Sequence, residues 1–368
     1  MNTNSELLYK IALTLIPQIG PVQAKILLQH CEPEEIFNAK RSFLEKIEGI
    51  GTIRADAIKN FHDLTEAEEE LKFIEKHSIQ PLFISDPDYP KRLLNCYDSP
   101  TLLYYKGTAD LNADRIIAVI GTRRNTDHGR QLTEKLIQEL ADHSVMVISG
   151  LAFGIDSIAH RSSLKNNLRT VAVVAHGLDQ LYPPENSGLA KEILYAGGGL
   201  LTEFRSGSKP DRHNFPSRNR IVAGMSDATI VVETDKKGGS MITAELADGY
   251  NRDVFTFPGR ITDSKSAGCN DLVKNNKAVL LTDTEQLLEA MGWSINPSAK
   301  KNVQRELFIE LTTEERTIVQ LLQEKETMHI DAINASASLS NSRVAASILN
   351  LELQNVIVSL PGKMYRLA

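Results

Sequence analysis

Between Arg205 and Arg220 the chain reads RSGSKPDRHNFPSRNR, where the five cations Arg205, Lys209, Arg212, Arg218 and Arg220 stand against the single acid Asp211. The whole chain carries a formal charge of −6, so this positive charge is local. One aromatic, Phe215, lies among the cations beside Asn214 and Asn219. Guanidinium, amide and ring together suit a polyanion with exposed bases, which describes single-stranded nucleic acid. The alternative is a solvated loop whose arginines pair with carboxylates from elsewhere in the fold.

Four further segments carry glycines or charges where short apolar runs end. Val119 to Arg124 leads through Gly121 to Arg123 before a helix that begins near Asp127. Ser149 to Asp156 holds Gly150 and Gly154, which let a backbone approach a phosphate at a helix N-terminus. Ala175 to Asn186 has the turn chemistry of a structured loop. Glu233 to Thr243 brings Lys237 and the turn Gly238-Gly239-Ser240 to the start of another helix. Each segment alone is also what a simple tight turn would use.

The apolar runs that precede these loops are Ile116 to Ile120, Val145 to Ile148, Val171 to Val174, Thr229 to Val232 and Val254 to Phe257, with Val279 to Leu281 last. They are rich in Val and Ile, apolar on both faces, and separated by helical stretches. That pattern predicts a parallel sheet covered on each side: a Rossmann-like, doubly wound α/β domain over residues 81–292. Such sheets bind ligands beyond the carboxyl ends of their strands, where the loops above lie.

With 368 residues, 42% of them hydrophobic and 24% charged, the chain has the composition of an ordinary globular protein long enough for two or three domains. No apolar run reaches the roughly 18 residues of a membrane span, and MNTNSELLYK has no secretory apolar region, so a cytoplasmic location without membrane contact is expected. Three scattered cysteines, Cys31, Cys96 and Cys269, offer neither a disulfide framework nor a zinc site and read as buried thiols.

In residues 1–80, Ile16-Pro-Gln-Ile-Gly-Pro-Val-Gln-Ala24 aligns with Ile47-Glu-Gly-Ile-Gly-Thr-Ile-Arg-Ala55. Each copy sets Ile-Gly at a turn between amphipathic helices, with an alanine four residues after the second glycine. This resembles a tandem helix-hairpin-helix (SAM-like) module, whose turn amides bind DNA phosphates without reading sequence. Gln18 replaces the leading glycine of the first copy, and two copies packed on each other as a structural unit would explain the repeat equally. Residues 293–306 read as a polar linker. Residues 307–368 read as three helices, Thr313 to Glu324, His329 to Ala337 and Asn341 to Gln354, followed by a hairpin around Pro361-Gly362. That is the layout of a winged helix. Its presumed recognition helix has Arg343 as its one cation and contains Glu352, so protein contact or a vestigial role is expected there ahead of duplex reading.

The central segments together, IGTRR (120–124), SGLAFGID (149–156), HGLDQLYPPEN (176–186), NFPSRNRIVAGMSDATIVVE (214–233), KKGGSMITAELA (236–247), GYNRDVFTFPG (249–259) and SAGCNDL (266–272), resemble the DNA-processing protein A (DprA or Smf) family of bacteria. The resemblance implies a non-enzymatic protein, without a cofactor or bound metal. It would bind incoming single-stranded DNA, shield it, and help load the RecA recombinase during natural transformation. It also implies a homodimer formed through the central domain. Carried over by position, the implied DNA contacts are Arg123, Phe215, Arg218, Asn219, Arg220 and Lys237. Arg123, Arg218 and Lys237 would neutralise phosphates and Phe215 would stack on a base. Asn219 would bond a base edge or brace its neighbours, and Arg220 would serve either the DNA or the protein interior. Thr122 stands where serine is common, and Gly238-Gly239 where Ser-Gly is usual; neither change removes a charge or adds bulk.

The rival class is a nucleotide-processing enzyme of the related superfamily with a PGGxGTxxE signature. Gly238 to Glu245 keeps the paired glycines and the glutamate, but Met241-Ile242 replaces the Gly-Thr. Glu245 therefore reads as a surface or pairing residue. No HExxH, P-loop or GxSxG is present. His128, His143, His160, His176 and His213 lack the spacing of a metal site or triad and read as structural.

Overall fold

The computed structural model describes residues 3–294 and 311–367, apart from 326, 338, 355, 361 and 362. Most of the expected linker, and the Pro361-Gly362 turn, lie outside the described residues. The chain divides into two compact units, Met1–Ile295 and Asn296–Ala368.

The first unit opens with helices α1 (Thr3–Leu15), α2 (Pro21–Leu28), α3 (Pro33–Asn38), α4 (Arg41–Leu44), α5 (Gly51–Asn60) and α6 (Thr65–His77). The repeat noted in the sequence is real geometry. Gln18 takes φ +67°, the same left-handed backbone as Gly49 at φ +86°, so the first turn keeps its shape without its glycine. Ala24 and Ala55 are both buried. A Cβ on Gly49 would press on Ile26 Cδ1, so the two hairpins abut. Their shared core takes in Phe83, Leu102 and Tyr104 from the sheet that follows, so the helical module is built onto that sheet.

The sheet and its helices run in the order β1 (Gln80–Phe83), α7 (Lys91–Leu94), β2 (Leu102–Gly107), β3 (Ile116–Ile120), α8 (Asp127–Glu139), β4 (Met146–Ser149), α9 (Ile155–Lys165), β5 (Thr170–Val173), α10 (Ser187–Tyr195), β6 (Gly199–Thr202), α11 (Asn214–Gly224), β7 (Ala228–Val231), α12 (Gly239–Gly249), β8 (Asp253–Thr256), α13 (Ala267–Lys274), β9 (Val279–Leu280) and α14 (Thr284–Ala290). The strand order is β1-β2-β6-β5-β4-β3-β7-β8-β9. From β6 to β9 neighbouring strands are parallel. The sheet is not wholly parallel, however, because β1 and β2 add an antiparallel edge. Strands β1 and β6 carry no clear local signal: Pro81 interrupts β1 at the sheet edge, where a missing N–H is tolerated, and Gly197 to Gly199 break the run into β6.

Burial on both faces explains the unbroken apolar runs. Along β3, Ile116, Ala118 and Ile120 enter one core while Ile117 and Val119 enter the other. The chain leaves β3 toward β4, β5 and β6, then returns to set β7 on the opposite side of β3. That reversal opens a crevice between the carboxyl ends of β3 and β7, where doubly wound folds hold their ligands.

The second unit comprises α15 (Thr313–Glu324), β10 (Met328–His329), α16 (Ile330–Ser336), α17 (Asn341–Leu353), β11 (Ile357–Leu360) and β12 (Met364–Leu367), with an antiparallel sheet ordered β10-β12-β11. Thr312 and Glu315 form a reciprocal cap that starts α15. The recognition helix α17 commits its Arg343 to Glu314 at 2.9 Å and exposes Leu349 and Leu353.

Candidate nucleic-acid interface

The crevice between β3 and β7 holds a cleft of about 500 Å³, a size typical of ligand sites. Five cations, Arg123, Arg124, Arg212, Arg218 and Lys265, line it together with two carboxylates, Asp156 and Asp235. Phe215 stands in the wall with the Arg123 guanidinium 5.3 Å above its ring centre. Of the glycine loops, Gly121, Gly150, Gly238, Gly239 and Ser240 reach the cleft.

The loop that carries Arg123 is held from the neighbouring strand. Glu233, at the end of β7, accepts the Thr126 amide at 2.9 Å and the Thr126 hydroxyl, while its backbone carbonyl accepts the Thr122 amide at 2.7 Å. Thr126 in turn caps α8. On the other side, Gly154 sits at φ +78°, and a Cβ there would run into the Thr122 carbonyl and the Arg123 backbone. Only glycine fits at this crossing of the two loops.

Beneath the cleft floor lies a buried polar network. Arg218 is 5% exposed, and its Nη1 donates to the carbonyls of Gly150 and Val173. Burial lowers its pKa to about 10, opposed by Asp156, so it stays charged at neutral pH. Asp156 accepts the amides of Gly150 at 3.1 Å and Ala152 at 3.3 Å. Burial pushes its pKa up, against the pull of Arg218. A Cβ at Gly150 would collide with the Arg218 guanidinium, so that glycine serves the arginine as much as a ligand.

This geometry redistributes the basic segment. Arg205 pairs with Glu66 at 2.9 Å, and the Ser206 amide and hydroxyl bond the buried Glu70, so α6 clasps the start of the segment. Arg220 is drawn into a buried ion pair with Glu203 and does not line the cleft. The pairing alternative is therefore correct for Arg205 and Arg220. Arg218 lines the cleft floor as a buried group held by two backbone carbonyls. Asn219 Oδ1 accepts Arg218 Nε at 3.1 Å, the bracing role. Lys237 is exposed but outside the cleft lining, and Gly154 lines a neighbouring cavity.

Three residues enter the site that were not among the expected DNA contacts. Lys265 arrives from the segment after β8 and bonds Asp235 at 3.0 Å. Arg212 lies within the basic segment, but nothing in its spacing separates it from Lys209. Tyr182 packs against Phe215 with ring centres 6.1 Å apart; an aromatic within the HGLDQLYPPEN loop was the available hint.

The acid/base candidates are engaged elsewhere. His160 is fully buried against the Thr170 hydroxyl at 2.7 Å, and burial lowers its pKa to about 3. His176 bonds the Gly177 carbonyl and the Tyr182 amide. Glu245 pairs with Lys277 at 3.3 Å. Cys96 and Cys269 are buried, Cys31 is half-buried, and all three are free thiols. Among the described residues no cluster of His, Cys, Asp or Glu could hold a metal, and no helix is long and apolar enough to cross a membrane.

Comparison with known proteins agrees with this architecture. Residues 80–292 match the family of DNA recombination-mediator protein A, residues 308–363 the DprA winged helix domain, and residues 10–61 the SAM-like helix-hairpin-helix tandem. Protein Smf of Synechocystis is 35% identical over 99% of both chains. DNA processing protein DprA of Streptococcus pneumoniae is 40% identical over 56% of this chain and 72% of its own. A crystal structure of the Streptococcus pneumoniae protein superposes with a TM-score of 0.64 at 32% identity, covering 76% of this chain and 95% of that one. The Helicobacter pylori DNA processing protein A, described for its single-stranded DNA binding mode, superposes with a TM-score of 0.53 at 32% identity, covering 58% and 95%. With a relative matched end to end and a family match across the whole sheet domain, the chain belongs to the DprA/Smf family of DNA-processing proteins.

Proposed function

We propose that the cleft between β3 and β7 binds single-stranded DNA, and that the protein shields the strand and helps load the RecA recombinase onto it during natural transformation. The observation that carries this reading is the Arg123 guanidinium set over the Phe215 ring in the wall of a cleft lined by five cations. A duplex hides its base faces, whereas a single strand offers both a phosphate for the arginine and a base for the ring. The Helicobacter pylori relative, described as binding single strands, supports the same ligand.

The cell location of this work would be the cytoplasm, and the working unit a homodimer formed through the sheet domain. The exposed edge strand β9, where Val279 and Leu280 face solvent, is in keeping with such pairing. We read the protein as non-enzymatic, since His160 and His176 are bonded within the fold and Glu245 is held in a surface pair.

Competition between a labelled oligothymidylate and a matched duplex tests the ligand. The single strand should be displaced only by single strand. Recombinase filament growth on a strand already coated with single-strand-binding protein tests the loading step, and should accelerate when the protein is added. A duplex preference would overturn the first reading, and unchanged filament growth the second.

A further inference from the structure

A second cavity, of about 360 Å³, lies across the wall of the cleft. The β4–α9 loop and the first turn of α9 form the partition and send residues both ways: Gly150, Ala152 and Asp156 face the cleft, whereas Phe153, Gly154 and Ser157 face the second cavity. Arg130 from α8 and Arg161 from α9 line this cavity, and both are exposed. Glu134 and Glu185 line it as well. Among the described residues, neither arginine meets a carboxylate within the 4.0 Å of an ion pair. Two guanidinium groups are thus left open, unlike Arg205 and Arg220 in the basic segment.

Aromatic rings link the two spaces. Phe215 belongs to the cleft, and Tyr182, 44% exposed, packs against it. Three residues beyond Tyr182, the same loop contributes Glu185 and Asn186 to the second cavity, and Asn186 pins the loops by bonding the Leu151 carbonyl at 2.8 Å and the Ser157 hydroxyl at 3.0 Å. Phe153, also 44% exposed, lines the second cavity. Exposed rings interleaved with unpaired cations are what a single strand needs to stack and be neutralised along its length.

We propose that a single strand seated in the cleft continues past Tyr182 into this second cavity, where Arg130 and Arg161 hold its phosphates and Phe153 stacks a base. The extension rests on the single-strand reading of the cleft.

The test compares wild type with Arg130→Ala/Arg161→Ala on oligothymidylates of about 4 and about 16 nucleotides, which bracket known single-strand site sizes. The short strand should bind both proteins equally, while the long strand should lose affinity in the variant and show a salt slope shallower by about 1.4. Arg130→Lys/Arg161→Lys should restore that slope, and Phe153→Ala should weaken the long strand alone by about five-fold or more. Long-strand affinity and slope unchanged in the alanine variant, at a matched melting temperature, would overturn the extension. Equal losses on both lengths would also overturn it, by making the arginines part of the cleft's own field. A wild type that binds neither length would instead remove the single-strand reading itself.

Discussion

At the scale of single residues, the arginines that look alike in sequence divide into two physical kinds. Arg123 projects from a loop over a ring, while Arg218 is buried and bonded to two carbonyls. Arg218→Ala should therefore cost about 3 kcal/mol or more in urea unfolding, because it orphans the carbonyls and leaves Asp156 without its counter-charge. Arg123→Ala should change stability by no more than about 0.5 kcal/mol while weakening single-strand binding. Equal stability losses in the two variants would refute the distinction. His160 gives a pH signature. It stays neutral in the folded protein down to about pH 3. Once unfolded it takes up a proton near its ordinary value of about 6.5. The unfolded state thus binds the extra proton, and stability declines as pH falls below about 6.5. Against His160→Asn, which has nothing to titrate, the wild type should lose about 2 kcal/mol more between pH 7 and pH 5. A gap independent of pH would contradict this. The cation types and Phe215 were legible in the sequence, but their partners were not. Glu66 is 139 residues from Arg205, and no local pattern encodes a pairing at that range.

At the scale of elements, the alternation of Val- and Ile-rich strands with helices was enough to place β3, β4, β5, β7 and β8, because strands buried on both faces must be apolar throughout. The antiparallel edge was not legible. Pro81 and the glycines around β6 speak locally for turns, and tertiary pairing overrides them. The helix-hairpin-helix repeat shows the reverse case, in which a departure from pattern leaves the backbone intact. Gln18 holds φ +67°, a conformation that costs an L-residue roughly 1–2 kcal/mol. Gln18→Gly should therefore raise stability by about 1 kcal/mol in chemical denaturation. A loss of stability would mean that the glutamine side chain supplies something the turn geometry does not.

At the scale of the whole molecule, the protein is acidic yet lines its cleft with five cations against two carboxylates, and several other carboxylates are engaged away from it. Glu66 and Glu203 each pair with a cation of the basic segment, and Glu70 bonds Ser206 in the buried clasp. Glu233 holds the Arg123 loop in place. Among the described residues, the exposed arginines Arg123, Arg124 and Arg212 at the cleft meet no carboxylate within ion-pair distance, and this short arc focuses potential without making the chain basic overall. The measurement to make is the affinity of a labelled oligothymidylate of about 4 nucleotides, short enough to occupy the cleft alone, across a series from about 50 to 200 mM salt, for wild type and for Arg123→Ala/Arg212→Ala. If the three arginines each neutralise one phosphate, log affinity should fall against log salt with a slope of about −2 in the wild type and about −0.7 in the variant. Equal slopes and affinities in the two proteins would place the strand somewhere other than the cleft between β3 and β7.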